Sequence, residues 1–342
     1  MAGTSYTVNS PETRKVWASK TFKEMLTETY VWRFAGSGQG SMISIRNDLK
    51  QGGGDTIKIF LRAQLSGEGV SNQATLQGNV EELVHFKDEV TIGNLRHGVG
   101  SAGKMSEQRV PWEFESNAKD ALKDWWRKRI DVTCFNHLQG ISTQTNLKYT
   151  GFNTPIAPSR VVMEADTTAS ISSGTTFGIR LIDYAVEQAK TGTYPMRPVV
   201  SGGKEYYILF LHEYQVTDLR REFGSGGWGD IHKALLQAGS GSDDPIFAGG
   251  VGIYNNVIIH SSNYLTIDSS ICRAPLCGAQ ALGLAFGQKS DLGTYMNWTE
   301  EVYDHGDKKE IGGALMFGLK KMVWNSADFS TVVIPTWCVS HA

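Results

Sequence analysis

Residues 111–140 read PWEFESNAKDALKDWWRKRIDVTCFNHLQG, and this stretch organises the rest of the chain. Pro111 has no amide hydrogen to donate and fits only the first turn of a helix, so it marks a start. Gly140 marks a stop, because glycine takes the left-handed conformation that closes helices. A helix from about Pro111 to Leu138 would be about 42 Å long, against a globular mean of about 11–12 residues. Phe114, Ala118, Leu122, Trp126, Ile130, Cys134 and Leu138 are all apolar and four apart. Each four-residue step gains roughly 40° on a 3.6-residue helix, so the stripe winds around the axis. Ala121, Trp125, Val132 and Phe135 widen it. Successive stretches then face different neighbours, as in a spine crossing several elements. Asp120/Lys123, Asp124/Arg127 and Asp124/Lys128 are spaced for ion pairs on the solvated side. An ordinary long core helix is the simpler reading of this stretch taken alone.

Upstream, Gly52–Gly100 reads as a long β-hairpin. Ile57, Ile59 and Leu61 alternate with Lys58, Phe60 and Arg62. Val84, Phe86, Val90 and Ile92 alternate with His85, Lys87, Glu89 and Thr91. Period two is the strand signal. Gly67, Gly69 and Gly78 lie in a polar connection of about 20 residues, far longer than ordinary hairpin loops. A two-stranded hairpin is marginal in water, so such a ribbon makes sense if another subunit covers it. In the first 50 residues, Trp17, Phe22, Leu26, Tyr30 and Phe34 recur at near-helical spacing. They form either a surface helix of an ordinary domain or an arm packed on a neighbour.

Downstream, the spacing predicts a helix over Thr176–Lys190, with apolar positions Leu181, Ile182, Ala185, Val186 and Ala189 and Gly192 as its cap. Tyr206–Leu211 and Val257–His260 read as buried strands. Trp228–Ala238 reads as a short helix stopped by Gly239. Ile311–Val339 mixes strand runs such as Thr331–Pro335 with aromatic residues. The fold class is α+β: a hairpin, a spine helix, a mixed middle, then late strands.

The 342 residues allow two or three domains, or one large discontinuous one. With 33 basic and 35 acidic side chains the net charge is −2, without the basic excess of a dedicated nucleic-acid binder. Cys134, Cys272, Cys277 and Cys338 form no CxxC pair, which argues against zinc and for free thiols in a reducing cytoplasm. Met1–Ser10 is polar and lacks an apolar signal-peptide core. The sequon at Asn297–Thr299 is then expected to stay unused. No apolar run reaches the 18 residues of a membrane span.

One motif points toward chemistry and fails on inspection. Gly98–Lys104 satisfies both G-x-G-x-x-G and, nearly, the phosphate-binding G-x-x-x-x-G-K pattern. Met105 stands where a magnesium-ligating Ser or Thr is needed, and the helix start at Pro111 comes too late to aim amides at a phosphate. The alternative is a flexible glycine-rich loop. The histidines at 85, 97, 137, 212, 232, 260, 305 and 341 form no HExxH or other metal spacing. Asp243 and Asp244 read as a solvated loop tip. No GxSxG elbow or cysteine–histidine signature occurs. Catalytic, cofactor-binding and metal-ligating residues are therefore assigned as none.

An ordered series of short segments resembles the N-four-like family of phage major capsid proteins. The hairpin segments are Gly54–Ile57, Leu65–Val70, Leu76–Asn79 and Glu81–Leu83. Leu95–Val99 and Gln108–Arg109 resemble the entry to the family's spine helix, and Trp125–Gly140 its end. Asp244–Phe247, Gly252–Tyr254, Val257–His260, Arg273–Ala274, Gly278–Ala281, Phe317–Lys321 and Asn325–Phe329 follow in order. The resemblance runs from about residue 54 to 335 and implies the Hong Kong ninety-seven capsid fold. It implies an N-terminal arm over 1–50, an extended loop over 51–100, and a peripheral domain from 101–165 with 300–342. The axial domain would be 166–299.

That resemblance implies self-assembly into hexamers and pentamers of an icosahedral head around double-stranded DNA. It implies no enzymatic activity and no cofactor. Trp17, Trp32 and Phe86 are the side chains expected to be buried between subunits. The partners would be other copies, with scaffolding, decoration and portal proteins and non-specific contact with packaged DNA. No membrane is involved. The location would be the virion, after assembly in the host cytoplasm. Two other readings stand beside it: a nanocompartment shell of the same fold, and a nucleotide-binding enzyme using Gly98–Lys104.

Overall fold

The computed structural model describes residues 25, 29–46, 54–62, 65, 67–72, 75–110, 113–192, 195–201, 203–222, 250–287 and 296–341. The sequence readings at Trp17, Phe22, Leu26, Pro111, Trp228–Ala238, His232 and Asp243–Asp244 lie outside these residues. In chain order the strands are β1 (Ala35–Gly36), β2 (Ile43–Arg46), β3 (Thr56–Arg62), β4 (His85–Thr91) and β5 (Gly93–Gly100). Helices α1 (Lys104–Gln108), α2 (Phe114–Gln139) and α3 (Leu147–Thr150) follow, then α4 (Ile179–Thr191). Next come β6 (Val199–Ser201), β7 (Lys204–Leu211), α5 (Glu213–Arg221), β8 (Gly250–Tyr254) and β9 (Val257–Ser261). The chain closes with β10 (Ile267–Asp268), β11 (Ile271–Cys277), β12 (Leu282–Phe286), β13 (Met296–Tyr303), β14 (Lys308–Lys321), β15 (Val323–Trp324), β16 (Ala327–Asp328) and β17 (Thr331–Trp337).

Two sheets carry the body. A six-stranded sheet runs β1-β2-β12-β14-β13, with β5 also paired to β14. A seven-stranded sheet runs β10-β11-β7-β9-β8, with β17 paired to β11 and β6 to β7. They exchange chain segments: β12 leaves the middle of the chain to pair with β14, and β17 leaves the tail to pair with β11. Neither layer is a continuous stretch of sequence.

The spine helix α2 lies against both sheets. It begins at Phe114, with Glu113 in extended conformation before it, and ends at Gly140. Gly140 is left-handed, with φ 64°. A β-carbon there would stand 2.7 Å from the Ile156 carbonyl oxygen, so glycine is required for space as well as conformation. Ala118, Leu122, Trp126, Ile130, Cys134 and Leu138 are all buried, whereas Ala121 is exposed. The helix meets β5, β12 and β14 of the first sheet and β11 and β17 of the second. The winding stripe explains this change of partner. From Ile130 to Gln139 only Val132 escapes full burial, so both faces are covered there.

Beyond the spine, α4 and α5 cover the second sheet around a core of Phe177, Leu181, Ile182, Leu209, Ile259 and Ile334. Residues 29–46 fold onto their own chain. Val31 and Phe34 are buried, and β2 pairs in parallel with β12. Asp131 of the spine accepts hydrogen bonds from the Tyr30 and Val31 amides, at 3.2 and 3.0 Å, and so caps the short helix Val31–Phe34.

Candidate intersubunit surface

The hairpin is real, and its root and its end differ. β3 and β4 pair antiparallel with Ile57 opposite Val90 and Leu61 opposite Phe86. At the root, Ile57 and Val90 pack with Ala285 of β12, and Ile59 and Ile92 lie against them. Asp88 is buried there and fixes the ribbon to the body. It pairs with Lys320, and its Oδ2 accepts from the Val323 amide at 3.0 Å. The Lys320 ammonium also donates to the Glu89 carbonyl at 3.0 Å. Asn153 holds the Thr91 peptide from the other side.

Past the root the packing stops. Phe60, Leu65, Leu76, Val80, Leu83 and Val84 each expose more than half of their surface, between 51 and 69%. A soluble chain that folds alone covers such groups or replaces them with polar ones. Within the ribbon end the Glu81 carboxylate accepts from the Gly67 amide at 2.7 Å. The side chains singled out by sequence fare differently. Trp32 is half-buried in its own chain against Phe286, with ring centroids 6.3 Å apart. Phe86 is half-buried opposite Leu61. The open apolar surface belongs to their neighbours along the ribbon, which alternation alone did not rank.

The first half of the glycine motif is strand, its second half is a short connection, and a helix begins at Lys104, earlier than the start expected at Pro111. Gly98–Gly100 lies in β5, paired with Glu310–Gly312 of β14, which corrects the expectation of a flexible segment. The Lys104 amide, where a phosphate oxygen would sit, donates instead to the Asp307 carboxylate at 3.2 Å. A carboxylate occupying that amide repels a phosphate, and amides committed to a sheet cannot cradle one.

The described cysteines are buried, and the described histidines occupy varied positions. Cys134, Cys272, Cys277 and Cys338 are buried free thiols. Burial pushes Cys134 and Cys277 up. Cys338 is drawn down to about 6, chiefly by hydrogen bonding from Cys272, with His212 Nδ1 3.9 Å away. His137 sits fully buried with Nε2 2.8 Å from the Thr150 carbonyl, and burial lowers it to about 4. His97 stacks on Trp125 at 4.3 Å. His212 caps α5, and His341 pairs with Asp218 at 3.0 Å. His260 is buried beside Phe34, Tyr30 and Phe210. His85 is exposed on the ribbon, and His305 lies in the β13–β14 turn with φ 52°. Among the described residues no three His, Cys, Asp or Glu side chains gather in a metal-holding group.

One buried ion pair was invisible in the sequence. Lys321 and Asp328 are 0 and 1% exposed, with Nζ 2.6 Å from Oδ1. Asp328 also accepts from the Ser159 amide at 2.9 Å. The pair ties the end of β14 to β16, and the Ser159 hydrogen bonds tie β16 to the segment after the spine; no spacing rule links positions 159 and 328.

Comparison with known proteins gives a consistent result. A family model described as phage capsid protein matches residues 5–340. The major capsid protein of Pseudomonas phage KPP25 is 25% identical over 372 aligned positions, which cover 94% of each chain. The capsid protein of Ralstonia phage GP4 superposes with a TM-score of 0.81 at 26% identity, over 100% of both chains. That of cyanophage Pam1 superposes with a TM-score of 0.72 at 18% identity, over 99% of this chain and 94% of the other.

Proposed function

The chain belongs to the phage capsid protein family, and from that premise we propose that it is the major capsid protein of a tailed-phage head. Its copies form the hexamers and pentamers of an icosahedral shell around double-stranded DNA. The observation that carries this reading is the hairpin: a root bonded to the body and an end whose apolar side chains are more than half exposed among the described residues. Each such side chain removed from water contributes roughly 25 cal/mol per Å² of apolar area, and a shell multiplies that gain over every contact. Ring contacts of this kind join one surface to a different one, which lets identical chains close. A net charge of −2 keeps repulsion between packed copies small.

The same reading divides the chain into an arm (1–50), an extended loop (51–100), a peripheral domain (101–165 with 300–342) and an axial domain (166–299). The strand pairings favour one amendment: β12 is better counted with the peripheral sheet and β17 with the axial one. Scaffolding, portal and decoration proteins, with non-specific DNA contact, complete the partners. Assembly takes place in the host cytoplasm. The role is structural rather than catalytic. The one cysteine with a lowered pKa, Cys338, is 1% exposed and cannot meet a substrate, and the Gly98–Lys104 motif is closed by Asp307.

The test is electron microscopy of particles from cells expressing the chain, with and without residues 67–78. Wild type is expected to form closed shells. The deletion is expected to yield soluble protein with an unchanged circular dichroism melt and no shells. Normal shells from the deleted chain would remove the ribbon from the account.

A further inference from the structure

Cys272 and Cys338 come together across two strands. Cys272 lies in β11 opposite Thr336 of β17. Cys338 stands two residues past Thr336, so its side chain shares that face. Its amide continues the ladder by donating to the Ser270 carbonyl at 2.8 Å. The two thiols hydrogen-bond to each other. His212, at the start of α5, places Nδ1 3.9 Å from the Cys338 sulfur. That nitrogen accepts from the Tyr214 amide at 3.2 Å, so it is the one with a lone pair. Gln139 Nε2 of the spine is 3.8 Å from the Cys272 sulfur. Asp218 of α5 and Arg273 of β11 are the charges that act on the pair besides His212.

Both thiols are buried, too enclosed for a substrate. Cys338, however, lies just beyond β17, and residues 339–341 after it are half-buried or exposed. His341 holds them, with Nε2 3.0 Å from the Asp218 carboxylate and Nδ1 3.0 Å from Arg221 Nη1. So lightly packed a segment opens locally far more often than a sheet interior, and a small oxidant enters then. We propose that Cys272 and Cys338 form a peroxide-responsive dithiol that closes to an intrachain disulfide and pins residues 338–341 to β11. Cys338, held down to about 6 first by the Cys272 hydrogen bond, is the attacking thiol. Its proton passes to His212 Nδ1. The thiolate attacks one oxygen of hydrogen peroxide: an S–O bond forms, the O–O bond breaks, and the departing hydroxide collects that proton as water. The Cys272 sulfur then attacks the Cys338 sulfenic acid. An S–S bond forms, and hydroxide leaves with the Cys272 proton as a second water. Two sulfurs have given two electrons to one peroxide. Diagonal partners stand roughly 7–8 Å apart between α-carbons, and a disulfide spans up to about 6.8 Å. Cys338 must draw in by about 1 Å, which a residue just outside a strand can do.

Hydrogen peroxide added to the purified, folded chain tests this, with peptide mass spectrometry under non-reducing conditions. A Cys272–Cys338 link should form while Cys134 and Cys277 stay reduced. Its rate should rise with a midpoint near pH 6, against about 8.5 for an ordinary thiol. Cys272→Ser should stop the reaction at a Cys338 sulfenic acid that dimedone traps, and Cys338→Ser should leave Cys272 unreactive. His212→Asn, which keeps an acceptor for the Tyr214 amide, should move the midpoint upward. Amide exchange at residues 338–341 should slow on oxidation and recover on reduction. The proposal falls if no Cys272–Cys338 link forms, if all four thiols react alike, or if exchange at 338–341 is unchanged in the linked chain. Should a variant fail to fold, the wild-type link and its pH profile decide. The reaction belongs to the single chain, so its outcome and that of the shell-forming test are independent.

Discussion

The Asn153 side chain holds both backbone groups of one residue: its Oδ1 accepts from the Thr91 amide and its Nδ2 donates to the Thr91 carbonyl, each at 2.9 Å. A single side chain thus takes the place of a neighbouring strand where β4 leaves the ribbon and turns into β5. The same Nδ2 donates to the Gly151 carbonyl at 3.0 Å. An exposed ribbon can be aimed at a neighbour only if its root does not swivel, and Asn153 with Asp88 prevents that.

Asn153→Ala leaves the Thr91 amide and carbonyl without this partner. The expected loss is about 2–3 kcal/mol, read from urea unfolding. Amide exchange in His85–Thr91 should quicken more than in the spine helix. Equal effects on both would mean that Asn153 supports the body generally and not the root.

Gly318 permits the close approach of β14 to the same turn. A β-carbon there would lie 2.1 Å from the Thr91 carbonyl oxygen, and backbone cannot yield as a flexible side chain can. Gly318→Ala should therefore cost about 3 kcal/mol or leave the protein insoluble. A melting temperature within a degree or so of wild type would show that the turn relaxes freely.

Asp131, which caps the Val31–Phe34 helix, is raised to about 6, first by burial; the Val31 and Tyr30 amides, Arg127 and Arg33 pull the other way. A carboxyl raised in the folded state binds more protons there than in the unfolded chain. Its contribution is full below the unfolded value of 3.8 and is lost as pH rises through about 6. The swing is about 3 kcal/mol. Asp131→Asn should lose that pH-dependent part, so its stability relative to wild type should improve between pH 4 and pH 7 in urea titrations. A constant difference across that range would contradict the burial assigned to Asp131.

His137 slopes the other way. Its value is lowered from 6.5 to about 4, first by burial. A histidine depressed in the folded state costs stability as pH falls from about 6.5 toward 4, again by about 3 kcal/mol. His137→Gln should remove that acid loss, while its amide replaces the donor to Thr150. Between pH 4 and 6 the two groups offset each other in wild type, so the single variants should depart from it in opposite directions. Departure in the same direction would refute one of the assignments.

Much of this architecture was legible in the sequence because its signals are local. The four-residue stripe from Phe114 to Leu138 specified a helix that changes partners, and Gly140 its stop. The alternation around Ile57 and Val90 specified the ribbon. Pairings across long separations left no local mark. Gly93–Gly100 became a strand only because β14, more than 200 positions later, lies beside it. Its glycines read as a loop because glycine punctuates loops more often than strands. Asp131 carried no signal of its own in the sequence, because its role is set by the amides of Tyr30 and Val31 about 100 residues away.

Hydroxyl-radical footprinting of free subunits and assembled particles most directly tests whether this chain completes its burial between copies. Leu65, Leu76, Val80, Leu83 and Val84 should oxidise readily in the subunit and be protected in the shell, while Trp126 and Phe135 stay protected in both. Equal oxidation of the ribbon in the two states, or protection already present in the free subunit, would contradict the account.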